Sequence, residues 1–135
     1  MAQKKEIYKC DVCGNIVEVL HGGVGELVCC NQPMVSQTAK REDEGAEKHV
    51  PIIEELPAKT CKGKDGFKIK IGEVEHPQTE EHFIEWIEIN TKDEKSGKKF
   101  LKPGEKPEAS FYTRVDIISV RAYCNIHGLW KKNVV

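Results

Sequence analysis

No run of 18 apolar residues exists anywhere in this 135-residue chain, which excludes a membrane-spanning helix. Neither sign of charge dominates: 21 basic and 22 acidic side chains are interleaved, for a formal net charge of −1. A protein that binds nucleic acid by counterion release needs a surplus of Lys and Arg on one face, so nucleic acid is not the expected partner. The opening segment, Met1-Ala2-Gln3-Lys4-Lys5-Glu6, turns polar and charged at once and has no apolar stretch of the export-signal type. A cytoplasmic protein is therefore expected. There is no internal repeat and no low-complexity tract, and Met1 and Met34 are the only methionines. With 39% hydrophobic and 32% charged residues the core must be modest, enough for one ordinary domain or one with a small appendage.

What the chain does have is six cysteines. In a reducing compartment these serve more often as metal ligands than as disulfides. Cys10 and Cys13 form a C-x-x-C pair, Cys29 and Cys30 are adjacent, and Cys61 and Cys124 stand alone. Residues 1–37 read as a metal-organised knuckle. The Cys10–Gly14 turn leads into a short strand over Asn15–Leu20, a glycine loop follows at 21–25, and Glu26-Leu27-Val28 returns to the second pair. So small a module has too few apolar residues for a core of its own and needs a staple. Four thiolates around one ion would supply it, and their softness admits zinc or iron alike. The vicinal pair cannot easily span an ideal tetrahedral angle, so a distorted site is expected.

Residues 38–48 are charged, lack aromatics and read as a linker ending in a functional segment. From His49 to residue 135 the pattern is one of strands. Phe67, Ile69 and Ile71 share one face of an alternating segment. Along 82–89, alternation places His82, Ile84 and Trp86 on one side and Phe83, Ile87 and Ile89 on the other. Along 115–123, it places Ile118, Val120 and Ala122 on the face that carries Cys124. Phe100-Leu101 runs into a Lys102-Pro103-Gly104 turn, and Ala109–Thr113 follows as a further strand. Short strands with Gly/Pro turns and no helical period indicate an antiparallel β-sandwich.

Cys124-Asn125-Ile126-His127 offers one thiolate and one imidazole to a single ion, and His49, His76 and His82 lie at strand or loop junctions where they could converge on it. His21 falls in the glycine loop and reads as an ordinary imidazole. One sulfur with several imidazoles is not how structural zinc is usually held. Five such ligands would exceed zinc's preferred four and leave a position open in an octahedral frame. Blue copper also takes His and Cys from a β-sandwich, but its axial Met should follow the His closely, and this chain reads Gly128-Leu129-Trp130-Lys131. Iron is the better choice.

Cys10-x-x-Cys13…Cys29-Cys30, Glu47-Lys48-His49-Val50-Pro51, His76-Pro77, residues 81–87 (EHFIEWI), residues 100–104 (FLKPG) and residues 124–128 (CNIHG) resemble, in order and over nearly the whole chain, the desulfoferrodoxin family of two-iron superoxide reductases. The resemblance implies a desulforedoxin-like N-terminal domain with an Fe(Cys)4 centre on Cys10, Cys13, Cys29 and Cys30. It implies an immunoglobulin-like sandwich whose iron takes four equatorial histidines, His49, His76, His82 and His127, and one axial cysteine, Cys124. Glu47 and Lys48 take the positions of the family's active-site loop. Superoxide as substrate, a rubredoxin-like electron donor and a homodimer are implied with them. The chain departs from the family between Leu56 and Gly66, where a longer segment adds Cys61. It reads as an extended surface hairpin carrying an incidental thiol.

Overall fold

The computed structural model describes residues 2–39, 50–58, 64–72 and 76–134, which fall into two compact units, Met1–Thr38 and Ala39–Val135. Among the described residues every regular element is a β-strand.

In the first unit, strands β1 (Ile7–Lys9), β2 (Ile16–Glu18) and β5 (Val35–Ser36) form a three-stranded sheet in the order β2-β1-β5. Strands β3 (Val28–Cys29) and β4 (Gln32–Pro33) make a separate hairpin. Its loop is only Cys30-Asn31, and both residues are left-handed, at φ 51° and 61°. That is the geometry a two-residue hairpin requires, because its backbone twist matches the twist of the flanking strands.

Among the described residues the second unit is a sandwich of seven strands. One sheet has the order β10-β7-β6, from β6 (Pro51–Pro57), β7 (Lys64–Ile71) and β10 (Glu108–Phe111). The other has the order β12-β11-β8-β9, from β8 (Ile84–Thr91), β9 (Ser96–Phe100), β11 (Ile117–Cys124) and β12 (Gly128–Asn133). This is the antiparallel sandwich that the strand pattern predicts, in the immunoglobulin-like form that the family resemblance implies. Strands β6 and β7 pair as a hairpin with Leu56 opposite Gly66. Cys61 lies outside the described residues.

Phe67, Ile69 and Ile71 of β7 face Ile84, Ile87 and Ile89 of β8 and Ile117, Val120, Ala122 and Cys124 of β11 in one continuous core. Burying each large aliphatic or aromatic side chain contributes about 1.5–3 kcal/mol. Two positions differ from strict alternation. Ile84 joins the core beside Ile87, while Trp86 stacks on Tyr123 on the opposite face, at 4.7 Å between ring centroids. The cause is a register shift. Cys124 lies opposite Ile84 and Tyr123 opposite Trp86, so Glu85 is an extra residue on β8. Likewise Ile117 takes the core position and Ile118 is 46% exposed, because Ile118 is the extra residue between the pairs Ile117–Thr91 and Ser119–Asn90. Such bulges re-aim side chains, and the first lies at the end of the sandwich that carries Cys124.

Beyond the Trp86–Tyr123 stack, the face of β8 and β11 turned away from this core carries polar side chains that are closed to water. Arg121 Nε and Nη2 donate to Glu88 at 2.5 and 2.9 Å, Asn90 Nδ2 donates to the same carboxylate at 3.1 Å, and Lys98 Nζ lies 3.6 Å away. Glu88 and Arg121 are 1% and 8% exposed. Burial alone would raise the Glu88 pKa, but the hydrogen-bonded Arg121 guanidinium outweighs it and holds the carboxyl below its ordinary range.

Candidate metal centres

Cys10 directly follows β1, and the chain turns back at once: Gly14 N–H donates to Cys10 C=O at 2.9 Å and Cys10 N–H to Asn15 C=O at 2.8 Å. Gly14 closes this turn at φ 83°, a conformation that glycine adopts without strain. The turn points the Cys13 backbone N–H at Cys10 Sγ, 3.5 Å away. The second pair comes from the β3–β4 hairpin, where Cys29 is the last strand residue and Cys30 the first turn residue. The left-handed conformation of Cys30 lets two adjacent residues aim their sulfurs at one point, 4.0 Å apart. Cys13 Sγ lies 3.6 Å from Cys29 Sγ, and Asn15 Nδ2 is 3.8 Å from the same sulfur. All four sulfurs fall within 4.8 Å of one another. Sulfurs about 2.3 Å from one tetrahedral ion stand about 3.8 Å apart, so the set fits a single metal.

The thiols bear the mark of that crowding. The Cys13 N–H, ahead of an opposing effect of burial, holds Cys10 down at about 7. The sulfurs of Cys13, Cys10 and Cys29 push Cys30 up to about 12, and those of Cys13 and Cys10 raise Cys29. Four thiolates cannot share this space without a cation, and a bound metal takes the place of the protons.

The other set gathers at one end of the sandwich. Cys124, fully buried, ends β11 on its core face, and Gly128 starts β12 directly opposite it. The three residues between form a tight loop closed by Gly128 at φ 84°, as in three-residue hairpins that end in a left-handed glycine. This loop brings His127 Nδ1 to 3.7 Å from Cys124 Sγ. His82 precedes β8, and its ring lies 4.9 Å from that of His127 and 4.7 Å from that of His76, edge to face in both cases. The donor atoms of His76, His82 and Cys124 lie within 4.8 Å of one another. His76 Nδ1 is 2.6 Å from Pro77 C=O. A carbonyl only accepts, so this nitrogen carries the proton and the Nε2 lone pair is left for a metal. Accessibility is graded across the row: His76 is buried, His82 half-buried and His127 exposed.

Of the expected site residues, Cys10, Cys13, Cys29 and Cys30 thus come together in one place, and His76, His82, His127 and Cys124 in another. Glu47, Lys48 and His49 lie outside the described residues. His21 is exposed. Two neighbours had drawn no attention as sequence: Asn15, against Cys29, and Asn125, the first spacer of the Cys-x-x-His turn. Both are asparagines in turns, where the side-chain amide commonly bonds nearby backbone.

Fold and donors together define a class: a two-module metalloprotein with one all-thiolate centre and one imidazole–thiolate centre at the edge of a β-sandwich. The desulfoferrodoxin family model matches residues 41–133, and the model of the desulfoferrodoxin N-terminal domain matches residues 2–36. The chain belongs to the desulfoferrodoxin family. It is 50% identical over 131 residues to a desulfoferrodoxin of Desulfarculus baarsii, covering 97% of this chain and 98% of that one. It is 35% identical over 117 residues to a superoxide reductase of Thermococcus kodakarensis, covering 75% and 97%. The crystal structure of a superoxide reductase from Treponema pallidum has the same fold, with a TM-score of 0.75 and 21% identity over 98% of this chain and 100% of that one. The two donor sets fit the two iron ions of that family, a four-thiolate centre and a His/Cys centre.

Proposed function

We propose that this protein is a superoxide reductase that converts superoxide to hydrogen peroxide with an electron from a rubredoxin-like donor. The observation that carries this reading is the convergence of the buried Cys124 thiolate with His76, His82 and His127 at one open edge of the sandwich. The relatives named superoxide reductase lend it support. The ligands proposed for the site are His49, His76, His82, His127 and Cys124. Iron held there would supply one electron to superoxide, which with two protons becomes hydrogen peroxide.

The protein's own groups have distinct tasks. Cys124 has no exposure to water, so its thiolate keeps its electron density for the metal, as a thiolate does for haem iron. His127, on the exposed side, marks the face from which a small anion and water can reach the centre. Lys48, beside His49 in sequence, gives local attraction for the anion in a chain whose net charge is −1. Glu47 offers a hard carboxylate to the oxidised centre. Cys10, Cys13, Cys29 and Cys30 hold the second iron, as an electron relay or a structural staple.

A homodimer is part of the proposal. Leu20 and Val28 of the first unit are 77% and 57% exposed around an open groove that also includes Val17 and Met34, an apolar surface suited to a second copy. A cytoplasmic setting agrees with five cysteines that form no disulfide among the described residues.

The test is pulse-radiolytic mixing of the fully reduced protein with superoxide. One peroxide per superoxide without oxygen release is expected. Oxygen evolved with peroxide would make the protein a dismutase, and no reaction with both metals in place would make it an electron carrier.

A further inference from the structure

Asn125 sits between the two donors of the Cys124–His127 turn, and the chemistry above makes no use of it. Its Oδ1 accepts from Phe83 N–H at 2.9 Å, its Nδ2 donates to Glu81 C=O at 3.0 Å, and its backbone N–H donates to Phe83 C=O at 3.2 Å. These bonds span 42 to 44 residues of sequence and grip both neighbours of His82. Only a primary amide of this length offers an acceptor and a donor side by side to one strand of backbone. An aspartate would set a second acceptor against the Glu81 carbonyl, and a leucine would offer nothing.

His82 needs such a hold, because it is not within a strand. It ends a short loop closed by Thr79 N–H to His82 C=O at 3.0 Å and His82 N–H to Thr79 C=O at 3.2 Å. Those bonds shape the loop but do not fix where it stands relative to Cys124. The pairing of β8 with β11 begins at Ile84, beside the bulge at Glu85.

We propose that Asn125 is a positioning residue that ties His82 to the Cys124–His127 turn, so that donors from two distant segments stand at metal-binding separation before an ion arrives. This rests on the reading of His82 and Cys124 as ligands of one ion. The loop is ordered once, during folding, and that cost is not charged against metal affinity. Groups that orient metal ligands typically account for about 10- to 100-fold in affinity.

The test uses the full-length protein loaded with iron and challenged with excess EDTA. Wild type, Asn125→Ala, Asn125→Asp and His82→Ala are compared by iron retained per chain and by the thiolate-to-iron absorption of the Cys124 site. The four-thiolate centre of the same molecule is the internal standard, and the thermal midpoint of the metal-free sandwich is recorded alongside. Both Asn125 variants are expected to hold iron at the Cys124 site about 10- to 100-fold more weakly, with the four-thiolate centre unchanged. If Asn125→Ala does not fold, Asn125→Asp, which keeps the Phe83 bond and loses the one to Glu81, carries the test. Retention within about twofold of wild type in the Asn125 variants, with loss in His82→Ala, would overturn the proposal and leave the ligand reading intact. A lowered metal-free midpoint with normal retention would reduce Asn125 to a structural role and overturn it as well. Normal retention in His82→Ala would instead remove the ligand reading on which the proposal stands.

Discussion

Among the described residues of the first unit, Ile7, Cys10 and Val19 are the buried apolar side chains, and Leu20 and Val24 are 77% and 87% exposed. In the second unit twelve of the described residues close into one core, and Cys124 is a member of it. The two centres therefore stand in opposite relations to their scaffolds. In the first unit the metal-binding set is most of what there is to hold the strands together, so binding free energy and folding free energy are the same quantity. In the second the sandwich folds on apolar burial, and the donors are placed at its edge by a hairpin, a bulge and a loop. The four-thiolate centre should act as a fold switch, and the His/Cys centre as a passenger on a fold that exists without it.

Loss of the thiolate centre is the largest effect that would break this contrast. Cys13→Ser is expected to cost the first unit its order, since structural thiolate sites contribute on the order of 10 kcal/mol. Hydrogen exchange should then show residues 2–38 unprotected, with β7, β8 and β11 protected as in wild type. Equal loss of protection in both units would mean that the sandwich, too, depends on that metal.

Next in size is a change confined to the second unit. Glu88→Gln leaves the Arg121 guanidinium buried without its counter-charge and should lower the stability of the sandwich by about 3–5 kcal/mol in a denaturant titration. The sign of its pH dependence follows from the depressed pKa of Glu88. The contribution is fully present above the unfolded-state value of about 4.3 and is lost as pH falls through the lower folded value. The gap between wild type and Glu88→Gln should accordingly narrow under acid. A gap that stays constant as pH falls well below the unfolded-state value would sink the ion-pair account.

The smallest effect sharpens the comparison at the site itself. Gly128→Ala forces a side chain into a left-handed position at φ 84° and should cost about 1–2 kcal/mol, read as a lower thermal midpoint. Among the described residues beyond its two chain neighbours, no atom stands within 4 Å of the added methyl group, so the loss is conformational rather than steric. An unchanged midpoint would show that the turn relaxes freely.

The donors were legible in the sequence because metal ligation is written in residue type and short spacing. Cys10-x-x-Cys13, Cys29-Cys30 and Cys124-x-x-His127 each form one local turn, and local turns survive translation into structure. The faces of β7 were legible for the same reason, since its alternation is unbroken. Less legible were features that depend on how two strands count against each other. The neighbours Trp86-Ile87 and Ile117-Ile118 each put two apolar residues in a row, which marks a change of phase, but the partner strand decides which of the two turns inward. Glu88 and Arg121 sit in alternating polar positions that read as solvent-facing, and only cross-strand pairing reveals that they neutralise each other. Asn125 looked like a spacer because its partners lie more than 40 residues away.

The extra residue at position 85 has a consequence for how this scaffold can change over generations. Side-chain replacement leaves the count of β8 against β11 as it is, whereas removing one residue there would restore perfect alternation and shift everything before it, His82 included, by one step toward the opposite face. The segment leading into β8 can thus drift in composition but not in length, and the most regular version of this sheet would be the one that loses its imidazole.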